Sequence, residues 1–154
     1  CLSRGLGDVY KRQALVDQLH LENVIFTGRV DIISYMEKLD FTILTSISEG
    51  QPLSVLESFA ARRPCVTTDV GCCRELLNGN EEDCYGSVGY CVPPMYREGL
   101  AQAMDQMCAS RTRRLRMGAN AQKRVKAYYR KEEMIEKYRK MYREVEEADG
   151  RNRI

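Results

Sequence analysis

The sequence predicts an α/β fold, a parallel sheet with helices on both faces, and three observations carry it. Short apolar, β-branched runs at residues 24–27, 40–45, 64–68 and 89–92 alternate with stretches of helical periodicity. Between two of those runs lies one complete strand–loop–helix–strand unit, residues 40–68. Three helical stretches, about 96–109, 112–128 and 131–148, then follow the last run. Such βα alternation predicts a Rossmann-like, doubly wound sheet of four or five strands.

Residues 1–13, CLSRGLGDVYKRQ, carry no strand pattern and resemble translated adaptor text, so they are expected to be a non-native leader. Residues 14–21 read as the end of an amphipathic helix with Leu15 and Leu19 inward, and 24–27 as a strand ended by Gly28. Asp31 is the expected N-cap of a helix over 32–38. After the strand at 40–45 comes a polar break, 46–50, and Pro52 fits the first position of a helix over 52–63 because its fixed φ suits a helix start. Leu53, Leu56 and Ala60 form its expected core stripe, widened by Val55 and Phe59, and Pro64 ends it. Asp69-Val70-Gly71 turns the chain into a helix over 72–78 that Gly79 closes. The expected core is Ile25, Ile43, Leu44, Leu56, Phe59 and Val66.

Composition narrows the classes. A length of 154 residues suits one domain with a sizeable core, and no apolar run approaches the roughly 18 residues of a membrane span. Seven cysteines at irregular spacing, with no Cys-x2-Cys pair, fit neither a disulfide framework nor zinc and point to a reducing compartment. Charge is uneven: residues 1–110 hold 9 Lys+Arg against 15 Asp+Glu, net −6, and residues 111–154 hold 15 against 7, net +8. Acidic residues interleave with that basic tail, the pattern of solvated helix faces, and no aromatic platform for nucleic acid accompanies it. The run Glu81-Glu82-Asp83 reads as a solvated loop rather than a metal site, and the one histidine, His20, lies far from the motif in sequence.

The chemistry concentrates at residues 46–57. Glu49 sits in the loop and Glu57 in the second turn of a helix that is otherwise apolar, where an unpartnered carboxylate facing a core would be costly. Between them, the segment Gly50-Gln51-Pro52-Leu53-Ser54 presents the free N–H groups of a helix start, Pro52 itself having none, and these suit an anion; Gln51 is a poor cap for them. A surface Glu57 and an ordinary helix start remain the alternative reading of the same residues.

The run from Glu49 to Glu57, EGQPLSVLE, resembles the Glu-x7-Glu signature of retaining GT-B glycosyltransferases of family 4. Residues 23–30, 68–71 and 89–94 are similar to the C-terminal donor domain of that family, and SISEGQPLSVLE with TTDVGCCRELL most resembles its PelF branch, which builds the Pel exopolysaccharide. The resemblance covers roughly residues 14–148 and implies the C-terminal half of a GT-B fold. It divides the chain into a nucleotide-sugar donor-binding domain, 14–130, and a C-terminal crossover helix and tail, 131–154.

It implies a hexosyltransferase using a UDP-sugar, UDP-glucose by the branch, without a metal or other cofactor, in the cytoplasm. Arg29 and Val30 would meet the nucleobase, Glu49 the reacting sugar, Gly50 to Ser54 the diphosphate, and Glu57 the ribose hydroxyls. A polysaccharide acceptor would bind an N-terminal domain absent from this sequence, and membrane-bound polysaccharide-synthesis proteins would be further partners. Family members also use an Arg and a Lys from strands upstream of every residue present here, so the fragment alone is expected to be inactive. A non-catalytic nucleotide-binding or scaffold domain of the same fold is the alternative; the pairing of Glu49 with Glu57 argues against it.

Overall fold

The computed structural model describes the backbone of residues 6–151 and the side chains of 9–148, so residues 1–5 of the expected leader lie outside the described residues. The chain divides into two compact units between Lys38 and Leu39.

The N-terminal unit holds α1 (Leu6–Gln18) and α2 (Ile32–Met36). Helix α1 therefore begins inside the segment set aside as leader. Asp31 caps α2 as expected, its carboxylate accepting from the Ser34 amide at 3.2 Å. The expected strand at 24–27 is not formed, and its intended core residue Ile25 is 83% exposed. An extended tetrapeptide becomes a strand only through ladder hydrogen bonds, and these residues make none among the described residues. Leu15 and Leu19, expected inward, are likewise exposed.

The second unit carries the sheet. Its elements are β1 (Thr42–Leu44), α3 (Leu53–Ala60), β2 (Cys65–Thr68), α4 (Cys73–Asn78), β3 (Gly89–Val92), α5 (Arg97–Ala109), α6 (Arg111–Tyr128) and α7 (Lys131–Arg151). The three strands run parallel in the order β1-β2-β3, Ile43 beside Val66 and Val66 beside Tyr90. The described residues thus hold three strands where four or five were expected.

Every residue of the central strand β2 is buried, as befits a parallel strand covered on both faces. Its side chains alternate between two cores. Cys65 joins Val55, Phe59, Leu76, Leu77, Val88 and Ala121; Val66 joins Ala103, Met107 and Met117 on the other face. Phe59 and Val66 are core residues as predicted, Leu44 and Leu56 are partly buried against the first cluster, and Ile43 on the edge strand is exposed.

Helix α3 is shorter than its predicted 52–63 and turned differently. Pro52 is the N-cap, with extended φ −72° and ψ 111°, rather than the first helical residue. The stop is not Pro64 but a left-handed turn at Arg62, φ 61°. The buried stripe is Val55, Ser58 and Phe59, whereas Leu53 and Ala60 face solvent. Ser58 is tolerated in the core because its hydroxyl is shared with Thr42 at 2.7 Å and donates to the Arg63 carbonyl at 2.9 Å. Along α7, Met134, Tyr138, Met141, Tyr142 and Val145 form an apolar face that is exposed throughout.

The loop at 79–88 also departs from expectation. Asp83 is not solvated: it pairs with Arg124 of α6, with side-chain exposures of 3% and 1%. Arg124 also donates to the carbonyls of Leu77 at 2.8 Å and Gly86 at 2.6 Å, binding α4, this loop and α6 together. Burial opposes ionisation of Asp83, but hydrogen bonds from Arg124 and the Tyr85 amide, with the guanidinium charge, outweigh it and hold the carboxyl below the usual range.

Candidate functional site

In parallel sheets the loops beyond the C-terminal strand ends make the binding crevice, and two of them are built into one structure here. Thr68, last residue of β2, donates its hydroxyl to the Ser46 carbonyl at 2.6 Å. The Cys72 amide donates to the Gly50 carbonyl at 3.1 Å. Between those ties sits Gly71, with φ 53°, where a Cβ would lie 2.3 Å from the carbonyl oxygens of both Glu49 and Gly50. Only glycine supplies both the left-handed conformation and the space. The loop that carries Glu49 is therefore clamped by the turn after β2.

Glu49 is half-buried, and its Oε1 accepts from the Ser46 hydroxyl at 2.6 Å. That charge-assisted bond fixes the carboxylate while Oε2 has no protein partner among the described residues. Next come exposed Gly50 and Gln51, then buried Pro52. No side chain caps α3, and the first N–H groups of a helix have no acceptor inside it. The amides of Leu53 and Ser54 thus stand open on residues whose side chains are themselves exposed. Proline at the cap leaves no hydroxyl or carboxylate to compete for them.

Glu57 shares the exposed face of α3 with Leu53 and Ser54, one turn further along. It does not face the core. The argument that a buried carboxylate must demand a partner therefore fails, and what remains is an exposed carboxylate in line with the open helix start. Arg29 and Val30 belong to the N-terminal unit, the first exposed and the second half-buried.

Sequence reasoning did not find the pair behind the clamp. Asp69 donates its amide to the Val92 carbonyl at 2.7 Å, linking β2 to β3. Its carboxylate accepts from Arg74 Nε at 3.0 Å, and that hydrogen bond, helped by the guanidinium charge, holds it below the usual carboxylate range. The spacing of five residues across a glycine turn was the only available signal. Among the described residues no group of three or more His, Cys, Asp or Glu side chains is placed to hold a metal ion.

Residues 4–110 match the family model described as glycosyl transferases group 1. The chain is 28% identical over 142 residues to N-acetyl-alpha-D-glucosaminyl L-malate synthase of Bacillus anthracis, covering 91% of this chain and 36% of that protein. In structure it is similar to sucrose-phosphate synthase of Thermosynechococcus elongatus, with TM-score 0.80 and 23% identity over 92% of this chain and 35% of that one. It is also similar to HepE of Anabaena, solved in complex with UDP, with TM-score 0.77 and 20% identity over 91% of this chain and 38% of that one. The chain thus spans little more than a third of these relatives. At such identities the structural likeness establishes the fold, that of GT-B glycosyltransferases.

Proposed function

The chain belongs to the group 1 glycosyl transferases, and on that premise we propose that residues 45–57 bind the diphosphate and sugar of a nucleotide-sugar donor. The observation that carries this reading is the uncapped start of α3, its Leu53 and Ser54 amides open beside a Glu49 carboxylate fixed by Ser46. Oriented amides in that arrangement suit a diphosphate, each such charge-assisted bond contributing roughly 1.5–3 kcal/mol. They also oppose the charge that develops on a departing nucleoside diphosphate, which is the main electrostatic demand of glycosyl transfer. In that step the bond from the anomeric carbon to the β-phosphate oxygen breaks, a bond to the acceptor oxygen forms, and the acceptor proton passes to the leaving diphosphate.

Uridine diphosphate is the donor carrier we assign, supported by the UDP bound to the structurally similar HepE. The finer assignments follow the motif resemblance: retention of configuration, family 4 and its PelF branch, glucose as the sugar, a growing exopolysaccharide as acceptor, and a cytoplasmic setting. On the same reading Arg29 and Val30 meet the base, Glu49 acts on the sugar and Glu57 accepts from the ribose hydroxyls. Helix α7 is then the crossover helix, its exposed Met134–Val145 face meant for an acceptor domain supplied by the rest of the protein. The domain division at residues 13 and 130 and independence from metal belong to this proposal too.

Titration of the chain with UDP tests it. Glu57→Gln is expected to weaken binding about tenfold, the loss of one charged hydrogen bond, while Glu82→Gln in the polar loop leaves it unchanged. Equal behaviour of the two variants removes the role given to Glu57, and loss of binding in a chelator removes the metal independence.

A further inference from the structure

At the opposite end of the sheet, beside the residues that lead into β1 and β2, lies a small cavity of about 90 Å³. It is lined by Asp40, Arg62, Arg63, Arg111, Arg114 and Leu115. Four arginines and one aspartate line it, so cationic side chains outnumber the acidic one. Arg114 is already committed: it donates to the carbonyls of Met107 and Cys108, capping the end of α5, and pairs with Asp40 at 3.2 Å. Its Nε is buried without a hydrogen-bond partner. The Arg62 amide donates to the Phe59 carbonyl at 3.0 Å, but the side chains of Arg62 and Arg111 make no hydrogen bond or ion pair among the described residues.

Backbone packing sets the chain positions of these arginines beside one another. Gly118 of α6 lets the backbone of Arg62 close in, since a Cβ at that position would lie 2.0 Å from the Arg62 carbonyl oxygen. Gln122 of the same helix donates to the Ala60 carbonyl at 3.0 Å. Arg62 itself is held at φ 61°, a conformation that disfavours a long side chain. These contacts bring the corner between α3 and β2 against α6, and so bring Arg62 and Arg63 to Arg111 and Arg114. Like charges collected in one cavity repel, and a multiply charged oxyanion relieves that repulsion while filling the paired-donor geometry of guanidinium.

We propose that this cavity is an oxyanion site that takes a phosphate group, separate from the loops beyond the other ends of the strands. The inference does not depend on the donor-binding reading. A phosphate can come from solution or from an acidic lipid headgroup, and the chemistry of recognition is the same.

Two arms of one experiment test it on the full chain. In the first, inorganic phosphate is titrated calorimetrically; in the second, the chain is sedimented with phosphatidylcholine vesicles with and without phosphatidic acid. The double variant R62Q/R111Q is expected to weaken binding at least about tenfold, as removal of two charged donors does. The double variant R97Q/R116Q, with the same change in net charge on exposed arginines outside the cavity, is expected to bind as the parent does. Arg111→Gln alone, which leaves the Arg62 turn intact, guards against a folding defect and should show the same direction. Selective loss in the first arm alone assigns free phosphate, and selective loss with acidic vesicles assigns the headgroup. Equal effects of the two double variants in both arms, or no binding by the parent chain in either, would overturn the proposal.

Discussion

Asp83 and Arg124, 41 residues apart in sequence, form a buried ion pair in which Arg124 Nη2 donates to Asp83 Oδ1 at 3.1 Å. The pair ties the loop before β3 to α6. Removing one partner strands the other charge in the interior, so Asp83→Asn is expected to cost about 3–5 kcal/mol in denaturant unfolding. The sign of its pH dependence follows from the lowered carboxyl. Its contribution is complete above the unfolded value of about 3.9 and is lost as pH falls through the lower folded value. The difference in stability between parent and Asp83→Asn should therefore be constant near neutrality and shrink below about pH 4.

Gly71→Ala should damage fold and site together. The added methyl meets two carbonyl oxygens at 2.3 Å, and the left-handed backbone adds strain of roughly 1–3 kcal/mol. Thermal melting should fall, and UDP binding should weaken by more than the lost stability explains, because the Glu49 loop is what moves.

Thiol labelling separates the cysteines. Burial pushes the Cys65 thiol up to about 12, whereas Cys84 and Cys108 are exposed. The thiolate is the reactive form, so Cys84 and Cys108 should label with a maleimide at neutral pH and Cys65 only after unfolding. Labelling of Cys65 in the native chain would contradict the packing of β2.

What the sequence made legible was local. Helical periodicity located five helices after β1, and the short apolar runs at 40–45, 64–68 and 89–92 became three strands in the parallel arrangement expected. The misreadings share a cause, namely partners distant in sequence. Ser58 is missing from the expected stripe of α3 because Thr42 and the Arg63 carbonyl, which make its burial tolerable, are not visible in helical spacing. Counting Leu53 and Ala60 as core instead turned Glu57 inward on paper. Asp83 looked solvated because Arg124 lies in a helix read as an exposed basic tail. Ile25 looked like core because β-propensity reports a preference for a ladder and not the presence of one. In the site, the open start of α3 could be read from Gln51-Pro52, whereas the clamp from Thr68 and Gly71 could not, since it depends on where two loops meet.

The central claim is that the amides at the start of α3 hold a donor diphosphate, and Leu53→Pro tests it most directly. Proline at the first helical position removes the amide hydrogen without breaking the helix, and Pro52 before it already has the extended conformation that precedes a proline. Leu53 is 67% exposed, so little packing is lost. Calorimetric titration with UDP should show binding weakened about tenfold while the melting temperature is unchanged. Undiminished UDP affinity in a folded Leu53→Pro chain would contradict the account.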